Sequence, residues 1–284
     1  MKTYIITGGN SGLGFETAKR IARTDARIIL ACRNLQKGDA AAAVIREETG
    51  NQNVEVRELD LASLRSVSEF AASLDSTGID GLDNNAGISN QHTGITEDGI
   101  DVVFQSNFLG HFLLTMLLLP QMNENARILN ISSDMHNPPY VDLVWKGTDC
   151  LIDPDEETMK LRYYYAKLCN LYFTYELDRR LRDQGCSIVV NALNPGFMAD
   201  TNLAGGNMNA DRIEYVRKNM PDRYGELSVS ADAAADILTE EAYGTVSGKY
   251  FDRSTNTARS SDLSYNRDNA AELWETAMQL TGMR

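Results

Sequence analysis

The chain has 284 residues, 43% of them hydrophobic, and a net charge of -13. That length can bury a sizeable core, and the acidic balance argues against non-specific binding to nucleic acid or anionic membrane, which needs a basic surface. The four cysteines, Cys32, Cys150, Cys169 and Cys186, show no Cys-x-x-Cys pair and no zinc or disulfide spacing, so a reducing, cytoplasmic location is expected.

Strand-forming residues begin at Thr3, with no charged head and apolar stretch of a signal peptide before them. Residues 4–7 read as a strand, followed by a glycine loop and a helix with Phe15, Ala18, Ile21 and Ala22 on one side. A second strand at 27–31 leads to a helix over 35–48, with Gly50 as its stop. The third strand is 54–59, after which Leu61, Leu64, Val67, Phe70 and Leu74 recur at helical spacing. A short fourth strand at 82–85, a helix at 105–119 and a fifth strand at 128–131 follow. The apolar run 112–119, interrupted by Thr115 and ended by Pro120, is too short to span a bilayer. A helix containing Tyr163 runs to about residue 184 with Gly185 as its cap, and strands at 188–190 and 249–251 complete the pattern. The C-terminal set Ala270, Leu273, Trp274, Ala277 and Leu280 is amphipathic and is expected to pack on the domain or on a partner.

Alternating strands and helices predict an α/β fold over 1–284: one domain, a Rossmann-type doubly wound parallel sheet of about seven strands, with helices on both faces. Residues 134–161 and 197–229 break the rhythm after strands whose carboxyl ends should line the ligand crevice, so both are expected to be substrate loops.

Thr7-Gly8-Gly9-Asn10-Ser11-Gly12-Leu13-Gly14 joins the first strand to the first helix. Glycines there permit positive φ and close backbone approach, and the helix N-terminus offers N–H groups to a pyrophosphate. The second strand ends in Arg33, where an acidic residue would favour the ribose hydroxyl of NAD; arginine, with Lys37, points to the 2′-phosphate of NADP. Tyr163 and Lys167 lie one helical turn apart, and a neighbouring ammonium favours phenolate, so the pair suits proton transfer to or from a carbonyl or alcohol oxygen. Tyr164 and Tyr165 lack that spacing and are assigned to packing or a substrate wall. His92, His111 and His136 make no metal cluster by spacing; His111 reads as a packed core residue, and His136, just past Ser133, as a candidate for substrate contact.

These motifs in this order resemble the short-chain dehydrogenase/reductase family. Its T-G-x-x-x-G-x-G is matched from Thr7 to Gly14, its N-N-A-G at Asn84-Asn85-Ala86-Gly87, its serine at Ser133, its Y-x-x-x-K at Tyr163 and Lys167, and its P-G at Pro195-Gly196. The resemblance implies a cofactor site made of Gly8, Asn10, Ser11, Gly12, Leu13 and Gly14, Asp60 and Leu61, Asn85, Ala86 and Gly87, Tyr163 and Lys167, and Pro195, Gly196 and Thr201. It implies Tyr163 as proton donor or acceptor, Lys167 to lower the tyrosine pKa and hold the nicotinamide ribose, Ser133 to polarise the substrate oxygen, and Asn107 to support a water relay. Asp60 is also placed to cap the following helix, and Thr201 falls one residue later than the commonest pattern.

The thirty residues between Ser133 and Tyr163 resemble the retinol-dehydrogenase-like and protochlorophyllide-reductase-like subgroup. The expected activity is NADP-dependent interconversion of a carbonyl and an alcohol on a bulky apolar substrate. Reduction of a carbon–carbon double bond and a non-catalytic NADP-sensing or scaffold role are the alternatives. The family often forms dimers or tetramers, but no interface is legible here. Asp83 stands where the family has an apolar residue in a central strand, so Asp83→Val is expected to spare both activity and stability.

Overall fold

The computed structural model describes residues 1–74, 78–198, 203 and 210–283. Among these residues, eight strands form one sheet in the order β3-β2-β1-β4-β5-β6-β7-β8. They are β1 (Thr3–Thr7), β2 (Arg27–Cys32), β3 (Val54–Glu58), β4 (Ile79–Asn84), β5 (Met122–Ile131), β6 (Val189–Asn194), β7 (Tyr250–Asp252) and β8 (Thr257–Ala258). All neighbours run parallel except β7 and β8. The eighth strand exceeds the expected seven: its two exposed residues bury nothing, so no hydrophobic pattern announces it.

Period-two side-chain alternation divides the core. Ile5, Ile29 and Leu82 point to one face, covered by α3 (Leu64–Ser73), α4 (Val102–Phe104), α5 (Gly110–Leu118) and α7 (Glu156–Asp183). Tyr4, Ile6, Ile28 and Leu30 point to the other, covered by α1 (Gly12–Ile21), α2 (Leu35–Thr49) and α9 (Leu227–Thr239). The remaining helices are α6 (Asp149–Ile152), α8 (Ala210–Asn219) and α10 (Arg267–Leu280). Leu273, Trp274 and Ala277 of α10 are buried in the first cluster, and Trp274 meets Phe112 edge-on at 5.2 Å. The amphipathic C-terminus therefore packs on its own sheet-covering helices.

Several elements depart from expectation. β4 and β5 begin earlier, because Asp80 and the stretch Asn123–Asn125 interrupt apolar patterning without stopping the backbone ladder. α9 carries no large-residue stripe. Its buried face is mostly Ser230, Ala231, Ala234 and Ala235, small residues that admit close packing against α1 but give a weak signal. The segments 134–161 and 197–229 are not structureless loops: α6, the start of α7, α8 and the start of α9 fall inside them. The continuous helical stretch Val102–Gln121 is long and apolar enough by length and composition to cross a membrane, at 20 residues and mean hydropathy 1.6. The interrupted run at 112–119 concealed this. With 78% of its most apolar window buried, the stretch serves here as core.

A polar line crosses the first face. Asn84 on β4 donates to Thr115 Oγ1 (2.9 Å) and Asn130 Oδ1 (2.8 Å), and Asn130 on β5 donates to Thr174 Oγ1 (2.9 Å). It joins α5, two strands and α7 through buried side chains.

Candidate active site

The strand order reverses between β1 and β4, and the crevice at such a switch point is where open α/β sheets bind ligands. Thr7, ending β1, holds it together: its Oγ1 accepts from the backbone N–H of Asn85 and of Ala86, both at 2.9 Å. Asn85 Nδ2 donates to Thr7 O at 2.7 Å. The glycine loop packs directly on this corner. A Cβ on Gly14 would lie 2.4 Å from Asn85 Nδ2 and 2.9 Å from Gly8 O, and Gly8 takes φ +66°. Unlike α2, α3, α7 and α10, which are capped by Asn34, Ser63, Asp155 and Asn266, α1 has no side-chain cap from Ser11 and no acidic residue in its first turn. Its N-terminal donors and positive dipole end are thus left for an external anion, and the residues present fit a dinucleotide pyrophosphate.

Asn107 sits in a π-helical turn, Gln105–Leu109, between α4 and α5. Its amide clasps the Ile88 peptide, accepting from Ile88 N at 2.7 Å and donating to Ile88 O at 2.9 Å. This fixes the chain just after Gly87, where an added Cβ would lie 3.2 Å from Asn107 Oδ1 and 3.8 Å from Lys167 Nζ. The expected grouping of Asn107, Gly87 and Lys167 is therefore present, with the Asn107 side chain committed to backbone. His111, buried as expected, bridges Thr7 Oγ1 (2.9 Å) and Asn107 O (3.3 Å). Burial pushes its imidazole down to about 3, so it stays neutral.

Lys167 is buried and donates to Ile131 O at 2.9 Å, and burial lowers its ammonium to about 8. Its Nζ lies 5.6 Å from the Tyr163 ring centroid. The Ser133 hydroxyl is near enough to Tyr163 to pull its phenol down, so these three side chains converge. The expected lowering of the tyrosine by the lysine is not what this arrangement produces. Burial is the largest influence and pushes the phenol up, and the Ser133 hydroxyl opposes it only in part. Tyr165 is core, donating to Val144 O at 2.7 Å, whereas Tyr164 stays half-buried against the Tyr163 ring.

Of the remaining expected residues, Asn10, Ser11, Gly12 and Leu13 form the turn into α1, and Arg33 and Lys37 stand exposed beyond β2. Neither Arg33 nor Lys37 enters an ion pair among the described residues. Asp60 accepts from Ala62 N at 3.0 Å, while the cap of α3 is Ser63, not Asp60. Leu61 is buried against the core and backs onto Gly110. Gly196 takes φ +76° and donates to Asn194 Oδ1 at 2.9 Å; Pro195 O accepts from Ser230. Thr201 lies outside the described residues.

Two features escaped the sequence reading. Arg162, next to Tyr163, pairs with Asp101 at 3.1 Å, both at most 2% exposed, and also donates to Asn90 Oδ1, Asn90 O and His92 O. Asp101 caps α4 through Val103 N and Phe104 N. A capping aspartate before an apolar helix was readable; its partner 61 residues away was not. The second is a cavity of about 220 Å³, lined chiefly by Asp134, His136, Arg223, Tyr250, Arg253 and Ser261 and by none of Ser133, Tyr163 and Lys167. It draws on both expected loop segments, and its lining is more polar than a wholly apolar substrate would need.

A family model described as short chain dehydrogenase matches residues 2–144. Retinol dehydrogenase 13 of Homo sapiens is 39% identical over 290 residues, covering 99% of this chain and 85% of that protein. Retinol dehydrogenase 12 of Mus musculus is 34% identical over 290 residues, covering 100% and 87%. Among solved structures, an uncharacterized protein from Mycobacterium Paratuberculosis superposes with a TM-score of 0.78 at 32% identity, covering 99% of this chain and 94% of that one. Sheet order, switch-point loop and these likenesses agree: the chain belongs to the short-chain dehydrogenase family, within its retinol-dehydrogenase-like subgroup.

Proposed function

We propose that this oxidoreductase uses NADP to interconvert a carbonyl and an alcohol on a bulky, largely apolar molecule, with Tyr163 exchanging the proton. The observation that carries the reading is the convergence of Tyr163, Ser133 and Lys167 at the carboxyl edge of the sheet, beside a glycine loop whose helix is left uncapped. When bound, the nicotinamide supplies or accepts the hydride.

The chain's own groups do the rest. Ser133 Oγ, held by Met135 N at 3.1 Å, fixes where the substrate oxygen sits. Burial keeps the Tyr163 phenol protonated, so it is ready to donate as charge develops on that oxygen. Lys167, braced by Ile131 O, keeps a positive charge near that oxygen below about pH 8. Arg33 and Lys37, exposed and without carboxylate partners among the described residues, favour the 2′-phosphate of NADP. The apolar substrate rests on the names of the retinol dehydrogenases and on the half-buried Tyr164 face beside Tyr163. A reducing, cytoplasmic setting is part of this proposal and rests on four cysteines without disulfide or zinc spacing in the sequence.

The test is NADPH oxidation against a panel of apolar aldehydes, ketones and enones that includes retinal. Tyr163→Phe should bind NADPH normally and lose about 10²–10⁴-fold in kcat, as loss of a general acid does. Full turnover by that variant refutes the assignment, and a saturated ketone as product would move the reaction to the carbon–carbon double bond.

A further inference from the structure

We propose that His136 is a positioning residue that sets the Ser133 hydroxyl by clamping its peptide to the C-terminal wall of the cavity. The inference rests on the reading of Ser133 and Tyr163 given above. The ring is 4% exposed, and both its nitrogens are engaged. Nε2 lies 3.0 Å from Ser261 N, which can only donate, so Nε2 is the unprotonated nitrogen. Nδ1 therefore carries the hydrogen and donates it to Ser133 O at 2.6 Å. The His136 backbone N–H reaches the same carbonyl at 3.1 Å, and Met135 N holds the Ser133 hydroxyl. Ser133 is thus gripped at its carbonyl and at its side chain. The ring also stands edge-on to Tyr250 at 5.4 Å, so β7 buttresses it from behind.

One imidazole in one tautomer therefore joins the loop after β5 to the Ser260–Ser261 segment across the cavity. His136 lines the cavity, and this assigns it a further task, one bond removed from substrate. A small displacement of a group that orients a reacting oxygen is costly; about 1 Å can reduce rate on the order of 10²-fold.

The test compares His136→Asn, His136→Gln and His136→Phe in the full chain, with NADPH and the best-turned-over carbonyl compound of the panel. Asn keeps a donor where Nδ1 stands, Gln keeps an acceptor where Nε2 stands, and Phe keeps only the ring. We expect His136→Asn, which keeps the Ser133 contact and gives up the Ser261 one, to lose about 3–10-fold in kcat, and the other two to lose about 10–100-fold, with NADPH affinity unchanged in all three. Should the Gln and Phe variants fail to fold, Ser261→Pro removes the N–H that locks the tautomer, at a residue whose φ of -65° already suits proline, and should lower kcat about 3–10-fold. Unchanged kcat in the folded variants, or equal losses in Asn, Gln and Phe, overturns the positioning role. Tyr163→Phe runs alongside: full turnover there, or none by the parent chain on the whole panel, overturns the underlying reading instead.

Discussion

Asp83 is the least expected residue in the sheet, and its replacement by valine gives a sharp test of burial energetics. It is fully buried in β4, in register with Ile6 of β1 and Leu129 of β5, both of which lie in the second apolar cluster. Neither carboxyl oxygen has a hydrogen-bond partner among the described residues. Burial raises the carboxyl from 3.8 to about 8. The folded chain then holds a proton that the unfolded chain releases, so between about pH 4 and 8 stability falls as pH rises, and it levels off above that window. Each pH unit is worth about 1.4 kcal/mol, so at pH 7, roughly three units above the unfolded value, the carboxyl lowers stability by about 4 kcal/mol. Its unpaired neutral form costs a further 1–3 kcal/mol or so at any pH. Asp83→Val removes both penalties at a position where a β-branched residue suits a doubly covered parallel strand. Urea unfolding at pH 5 and pH 7 measures it. The variant should be the more stable at both, and its advantage should widen by about 3 kcal/mol between them. Activity should stay within about twofold, because the side chain faces away from Asn84 and the crevice. A variant less stable than its parent, or an advantage that does not grow with pH, refutes the reasoning.

Asp101→Asn should be strongly destabilising, by about 3–5 kcal/mol in urea unfolding, because the cap of α4 survives while the buried Arg162 guanidinium loses its counter-charge. Arg33→Ser should raise KM for NADPH about 10–100-fold and leave KM for NADH nearly unchanged, in line with about 1.5–3 kcal/mol for a charged hydrogen bond; equal effects on both cofactors would remove Arg33 from the phosphate site. The ammonium of Lys167 is lowered to about 8, so it is charged below that pH and neutral above it, and kcat/KM should fall as pH rises through about 8. In a folded Lys167→Arg chain that alkaline limb should vanish, since guanidinium does not titrate in this range.

What could be read in advance was mostly what the backbone requires. A glycine-rich turn after a strand, and glycines closing α2 and α7, answer to local sterics, and Gly50 and Gly185 do take φ of +77° and +68°. The site residues followed because Thr7, Gly87, Ser133 and Gly196 all fall at carboxyl ends of strands, which alternation alone predicts. Contacts between remote segments were not readable. Nothing local marks Arg162 as the partner of Asp101, or His136 as the partner of Ser261. Spacing did bring Tyr163 and Lys167 to one face, but proton affinity depends on how much protein surrounds the phenol, which spacing does not encode. Helix α9 was missed for a related reason: small residues bury well against α1 yet carry almost no hydrophobic signature.

The Asn84–Asn130 pair has a further consequence, for how the chain finds its native pairing. A parallel sheet covered on both faces is built from near-interchangeable Val, Ile and Leu, and a one-residue slip would cost such strands little until the end of folding. Here β4 and β5 meet with the two amides side by side in register, and each amide also reaches a threonine on a different helix. A slipped pairing would turn at least one amide into the wrong layer without partners, at about 1–3 kcal/mol per orphaned group. The two asparagines thus work as a key between β4 and β5. They hold the Asn85 corner and Ser133 level with one another before any ligand arrives.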